Sequence, residues 1–234
     1  MKRGQATLLI LFGLIVVVLL VSTYYLFYQV DVVEEVTQTI VETEQQEEIF
    51  LELENCIELV VVDSLIQIGE NGGLYNEMNY LANEGINNVP DETELNEEFL
   101  EFFETYVPYC LYYVDYQDYE IESGDVKSDV TLTDNSVKLE ITYPLQLTGE
   151  NSFSIAEPFY YEYDIPLKTY LDVANEIVNE YLVNNRMCLS CISTIGTEND
   201  LNINMLFEEE GQLIIIEDEN VDFSEGVYYF AFMV

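Results

Sequence analysis

The sequence predicts an α+β protein: an N-terminal transmembrane helix, then an extracytoplasmic domain with a mainly antiparallel sheet and about three helices. Three observations lead there. The first charged residues, Lys2 and Arg3, are separated from the next, Asp31, by an apolar run. From residue 47 onward, apolar positions recur at intervals of three and four in three separate stretches, the period of a helix with one buried face. Between the second and third stretch, and again at the C-terminus, the period falls to two, with turn residues between neighbouring runs. Helices mixed with hairpins, without regular alternation, give an α+β arrangement rather than a parallel sheet.

The apolar run is ATLLILFGLIVVVLLV, from Ala6 to Val21, extended by Tyr24, Tyr25, Leu26, Phe27 and Tyr28. About 20 apolar residues cross about 30 Å of hydrocarbon, so residues 6–28 suffice to contact membrane lipid throughout. A secretory signal has a shorter apolar region followed by small residues. Aromatics and Gln29 stand at that place here, so the segment is expected to stay attached. Lys2 and Arg3 before the span and acids after it place the N-terminus in the cytoplasm and the rest outside, with the Tyr/Phe cluster at the outer interface. The expected division is a transmembrane helix over 5–30, an acidic stalk over 31–46 and an extracytoplasmic domain over 47–234.

Charge narrows the partners. The 234 residues hold 46 Asp and Glu against 6 Lys and Arg, a net charge of −40 at pH 7. Beyond Lys2 and Arg3 only four cations face all 46 acids. Such a surface repels nucleic acid, a polyanion that needs Lys and Arg to neutralise it, so nucleic-acid binding is excluded. Scarcity of lysine together with excess acid fits adaptation to high salt, where screening shortens to roughly 3 Å at 1 M and self-repulsion is relieved. There is no His. Its absence removes the usual general base, proton shuttle and metal ligand, so no enzyme is expected. The 19 Tyr and 12 Phe are expected mainly to fill the core.

Within the outer domain, Phe50, Leu53, Ile57, Val60, Val61, Leu65 and Ile68 mark a first helix to about Gly69, ended by Asn71-Gly72-Gly73. Leu95, Phe99, Phe102, Phe103 and Tyr106 mark a second over Asp91 to Val107, with Pro108 at its end. Val126 to Leu132 and Val137 to Tyr143 alternate as a hairpin turning at Asp134-Asn135, and a strand interrupted at Pro158 is expected from Ser152 to Ile165. Pro166 opens a third helix with a stripe of Leu167, Leu171, Ala174, Ile177, Val178, Tyr181 and Leu182. Strands return over Leu201 to Phe207, Gln212 to Glu217 and Val227 to Val234.

Four cysteines on the outer side allow three pairings. The favoured set joins Cys56 to Cys110, tying the first helix to the end of the second, and Cys188 to Cys191. Cys188-Leu189-Ser190-Cys191 also has the spacing of a redox pair, whose reactive thiol sits at a helix N-terminus. It comes after the Asn184-Asn185 helix end and precedes strand-like residues, so a structural disulfide is the expectation and a redox site the alternative. A four-cysteine zinc site, with only one Cys-x-x-Cys half, is a third option. Glu208-Glu209-Glu210 and Glu217-Asp218-Glu219 could offer oxygen ligands to Ca²⁺, but no EF-hand loop spacing is present and charge runs are usually solvated. No metal and no cofactor is assigned.

Lys2-Arg3-Gly4-Gln5-Ala6 followed at once by an apolar helix resembles the processing site of archaeal type IV pilin-like proteins. That resemblance implies a prepilin leader over residues 1–4, cleavage by a prepilin peptidase between Gly4 and Gln5, and possible packing of the apolar helix into filaments by self-association. Leu9 departs from the Glu that bacterial pilins carry at that place. The KRGQ start, Cys56 in a helix running to Gly72-Gly73, a helix ending near Pro108 and Cys110, and Tyr143-Pro144-Leu145 after strands are together similar to membrane-anchored proteins of small-genome archaea. This second resemblance spans roughly residues 1–180 and implies no activity. A pilin-like structural or cell-surface protein in the cell membrane is the first expectation. An extracytoplasmic ligand-binding or adhesion module, acting through a Tyr-rich sheet, is the alternative.

Overall fold

A computed structural model describes residues 46–76, 78–83, 85–112, 119–149, 152–209, 211–223 and 226–234. The apolar run 6–28, the expected leader with its Gly4–Gln5 junction, Lys2 and Arg3, and residues 31–45 of the expected stalk lie outside them. Among the described residues no helix is long and apolar enough to cross a membrane. The chain divides into two units, Met1–Ile49 and Phe50–Val234. The first enters the described residues only at 46–49, and all the described strands belong to the second.

Helix α1 occupies 46–70. Leu53, Ile57, Val61, Leu65 and Ile68 lie along one face and are fully buried. This is the stripe its spacing predicts. The helix ends where Gly72 and Gly73 take φ of 68° and 95°, a left-handed conformation that costs glycine nothing, and the Gly73 amide returns to the Ile68 carbonyl at 2.8 Å. A short ribbon comes next, β1 (Ala82–Asn83) with β2 (Ile86–Asn87). Helix α2 spans Glu92–Tyr106 and opens with a capping box: Asp91 accepts the Thr93 and Glu94 amides, and Glu94 accepts the Asp91 amide. Three of the amides that lack intrahelical partners at this end are thereby satisfied. Pro108 does not stop the chain from coiling, because a 3₁₀ turn continues over Val107–Tyr112 and buries Cys110.

Three antiparallel three-stranded sheets surround these helices. β4 (Lys127–Leu132) and β5 (Val137–Thr142) form the expected hairpin, closed at Thr133 and Ser136, and β8 (Phe159–Tyr163) pairs on the other side of β5. β3 (Glu120–Ser123), β6 (Leu145–Thr148) and β7 (Phe153–Ile155) form the second sheet. The interval Ser152 to Ile165, expected to be one interrupted strand, is thus two strands in different sheets. Pro158 lacks the amide a continuous ladder would need, and the chain changes sheet there. Tyr143-Pro144 divides β5 from β6 in the same way.

Helix α3 (Leu167–Asn184) buries the predicted Leu167, Leu171, Ala174, Ile177 and Val178, together with Tyr170 and Val173. Its first turn holds the β4–β5 turn: Thr169 donates to the Asp134 carbonyl at 3.1 Å, and Lys168 pairs with Asp134 and Asp172 at 3.1 and 3.0 Å. A fourth helix, α4 (Leu189–Asn199), exceeds the expected number. β9 (Asn202–Phe207), β10 (Gln212–Phe223) and β11 (Gly226–Met233) complete the third sheet as a meander, with β9 and β11 at its edges. One parallel bridge, Tyr80 to Met233, joins it to the chain ahead of β1.

Helix α1 is the spine that two sheets share. Near its start Phe50 stacks on Phe159 of β8 with ring centroids 5.3 Å apart, and the Tyr161 hydroxyl donates to the Glu54 carbonyl at 3.0 Å. Near its end the buried Tyr228 of β11 donates to the Leu65 carbonyl at 3.0 Å. Burial pushes the Tyr161 and Tyr228 phenols well above their ordinary range, since a phenolate there would lose its water. The outer edge of β4 is closed by α2, not by another strand. The Asn96 side chain both accepts from the Val130 amide at 2.8 Å and donates to its carbonyl at 3.2 Å, so those edge groups are unavailable to another chain.

Candidate functional site

The chemistry-bearing residues with the most definite geometry are the four cysteines, which pair two and two. Cys56 of α1 is bonded to Cys110 of the 3₁₀ turn, and Cys188 to Cys191. This is the favoured set, and it leaves no thiolate group for a four-cysteine zinc site. The two bridges differ in kind. Cys56–Cys110 spans 54 residues and ends on a fully buried sulfur, whereas Cys188–Cys191 spans three and both its residues are half-exposed.

The surroundings of the second bridge differ from the sequence expectation. Cys188 does not lead into strand-like structure. It is the N-cap of α4, an 11-residue helix. Ser190, Ser193, Thr194, Thr197 and two isoleucines lower local helix propensity, which is why the segment reads as extended. Tertiary packing decides otherwise: Ile192, Ile195 and Gly196 recur at helical spacing and are all buried. Gly196 permits a close approach of the chain beyond the helix, since a Cβ there would lie 2.9 Å from the Leu201 carbonyl oxygen. Asp200 then closes the helix in the left-handed conformation at φ 57°. The i, i+3, i+4 spacing of Ile192, Ile195 and Gly196 was the available signal.

At the other end of α4 the Cys188 sulfur accepts the Cys191 amide at 3.2 Å and lies 3.5 Å from the Ser190 hydroxyl. The sulfur therefore stands where the first amides of a helix lack intrahelical partners and where the helix dipole is positive. Arg186, one of the four cations beyond the N-terminus, precedes it by two residues and is in no ion pair among the described residues. In a chain so rich in carboxylates this is a local exception to the prevailing charge.

A groove of about 710 Å³ begins beside this pair and runs between α4 and β9, with Leu189, Ile192 and Met205 among its apolar lining and Asp218 and Glu219 on its polar side. The acidic run there is tied to asparagine amides: Asn202 donates to Glu219 at 2.8 Å, Asn204 to Glu217 at 3.0 Å, and Asn220 to Asp218 at 2.8 Å. Among the described residues no group of three or more His, Cys, Asp or Glu is arranged to hold a metal ion.

The aromatic surface expected on the sheets is placed elsewhere. Tyr75, Phe102, Tyr106, Tyr109 and Tyr112 form a ladder along the end of α2 and the 3₁₀ turn, with successive centroids 5.2, 4.5, 6.4 and 6.1 Å apart. Exposure rises along it, from 37% at Tyr106 to 55% at Tyr109 and 82% at Tyr112. On the sheets Phe159, Tyr228, Phe230 and Phe232 are buried, and Tyr160, Phe207 and Tyr229 are exposed.

No family model matches the chain, and neither a curated protein nor a solved structure is similar to it.

Proposed function

We propose that this chain is a membrane-anchored, pilin-like cell-surface protein. Its N-terminus lies in the cytoplasm, residues 6–28 lie in lipid, and its acidic α+β domain stands outside. The observation that carries this reading is the Lys2-Arg3-Gly4-Gln5-Ala6 motif directly abutting an uninterrupted apolar run. Two disulfides in the domain support an oxidising surrounding, because such bonds persist outside the cell and in comparable compartments. Prepilin peptidase acts between Gly4 and Gln5 on this reading, and the freed helix is available for self-association. The exposed tyrosine ladder gives an adhesive role for the outer domain its specific support, since rigid amphipathic rings suit contact surfaces.

N-terminal sequencing of the protein isolated from its native membrane tests the processing step. The expected first residue is Gln5. A retained Met1 would sink the pilin-like route and leave a plain single-span anchor.

A further inference from the structure

We propose that Cys188 and Cys191 form a dithiol–disulfide exchange site, with Cys188 as the sulfur that reacts with partners, and that its oxidised form accepts electrons from polypeptide dithiols. This goes beyond the anchoring role and does not depend on it. The bond is poorly suited to bracing. A cross-link stabilises mainly by closing a loop in the unfolded chain, and the constraint grows with the logarithm of loop length. With cysteines three apart in sequence, Cys188–Cys191 constrains far less than Cys56–Cys110.

Its surroundings also favour the reduced form. When the bond opens, a thiolate at Cys188 keeps the Cys191 amide as a donor, has the Ser190 hydroxyl 3.5 Å away, and sits at the positive end of α4 two residues from Arg186. A thiolate so placed is a better leaving group than an ordinary cysteine, and stabilising the reduced form makes a disulfide an oxidant. Access is available too. Leu189 between the cysteines is 64% exposed, and it lines the groove beside β9, an edge strand against which an extended chain can lie.

The step balances within the site. A thiolate of the partner attacks the Cys188 sulfur, the Cys188–Cys191 bond breaks, and Cys191 leaves as a thiolate that takes up a proton. The partner's second thiolate attacks its own sulfur in the mixed disulfide, forming the partner's disulfide and releasing Cys188. Two electrons pass from the partner dithiol to the pair, and the second thiol proton goes to Cys188 or to solvent.

The full chain in detergent micelles is treated with one equivalent of dithiothreitol, alkylated and mapped by mass. Alkylation is expected at Cys188 and Cys191 with Cys56–Cys110 intact and the far-ultraviolet spectrum unchanged. Oxidised protein mixed with reduced, unfolded ribonuclease is expected to transfer one disulfide equivalent. Of two single variants, Cys191→Ser is expected to take a thionitrobenzoate group from Ellman's reagent through Cys188 at least about tenfold faster than Cys188→Ser does through Cys191. Simultaneous reduction of both bridges only on unfolding, failure to oxidise the ribonuclease, or variant rates within twofold of each other would each overturn the assignment. The native-chain arms stand even if a variant does not fold.

Discussion

Removing the Cys56–Cys110 bridge with Cys56→Ala/Cys110→Ala is expected to cost the α+β domain about 4 kcal/mol, the loop-entropy value for a closed segment of this length. In a domain of this size that corresponds to a melting temperature lower by roughly 10 °C. The bridge spans 54 residues. Within that loop lie the end of α1, the β1–β2 ribbon and all of α2, elements that meet the rest of the domain through separate contacts. Within the loop α1 reaches β11 through the Leu65 carbonyl and Tyr228, while α2 reaches β4 through Asn96. The bond limits how far apart those surfaces can lie in the unfolded chain. Because Cys110 is fully buried, alanine also leaves a small void, which adds to the loss. Calorimetry of variant and parent under non-reducing conditions checks this, and a difference within about 2 °C would show that the loop is already constrained by packing.

The second large effect is that of salt. Raising KCl from 0.1 to 2 M is expected to raise the melting temperature by on the order of 10 °C, because screening shortens the reach of repulsion among surface carboxylates from about 10 Å to a few ångströms. Salt also weakens the attractive pairs, but among the described residues these are few. Lys138 with Glu162, and Lys168 with Asp134 and Asp172, are about half-exposed or more, and pairs of that kind add little stability. Lys138 does hold the Glu162 carboxyl below its usual range, chiefly through their hydrogen bond. Two cations so engaged cannot offset 46 acids. The rise should track ionic strength, so sucrose of matched osmolality should not reproduce it. A flat curve, or an equal rise with sucrose, would remove electrostatic relief as the reason for the composition.

How far the sequence carried depended on whether a segment's own pattern agreed with its final packing. The α1 stripe from Leu53 to Ile68, the α2 stripe from Leu95 to Phe103 and the β4–β5 alternation were legible because local period and burial coincide. β3 was not, since Glu-Ile-Glu-Ser has a single apolar residue and owes its strand state to pairing with β6. Nor was the division of Ser152–Ile165 between sheets, because Pro158 announces a break and says nothing of where the chain goes next. At the candidate site, the spacing of Cys188 and Cys191 suggested redox chemistry, while the serines, threonines and isoleucines after them argued against a helix. Burial of Ile192, Ile195 and Gly196 reverses that second inference, and the proposed exchange role of the pair builds on the helix it reveals. The tyrosine ladder obeys the same rule: its spacing of four, three and three from Phe102 is helical, but only the three-dimensional path shows that its far end faces solvent.

The proposed function rests on placing the acidic domain on the outer side of the membrane, which would also give its disulfides an oxidising setting. Protease added to intact cells tests it most directly, with an antibody against the domain and a second against the N-terminal segment. The expected result is loss of the domain from about residue 47 onward while a fragment containing the apolar helix stays with the membrane. A domain that resists digestion until the cells are lysed, and is then degraded, would contradict the orientation.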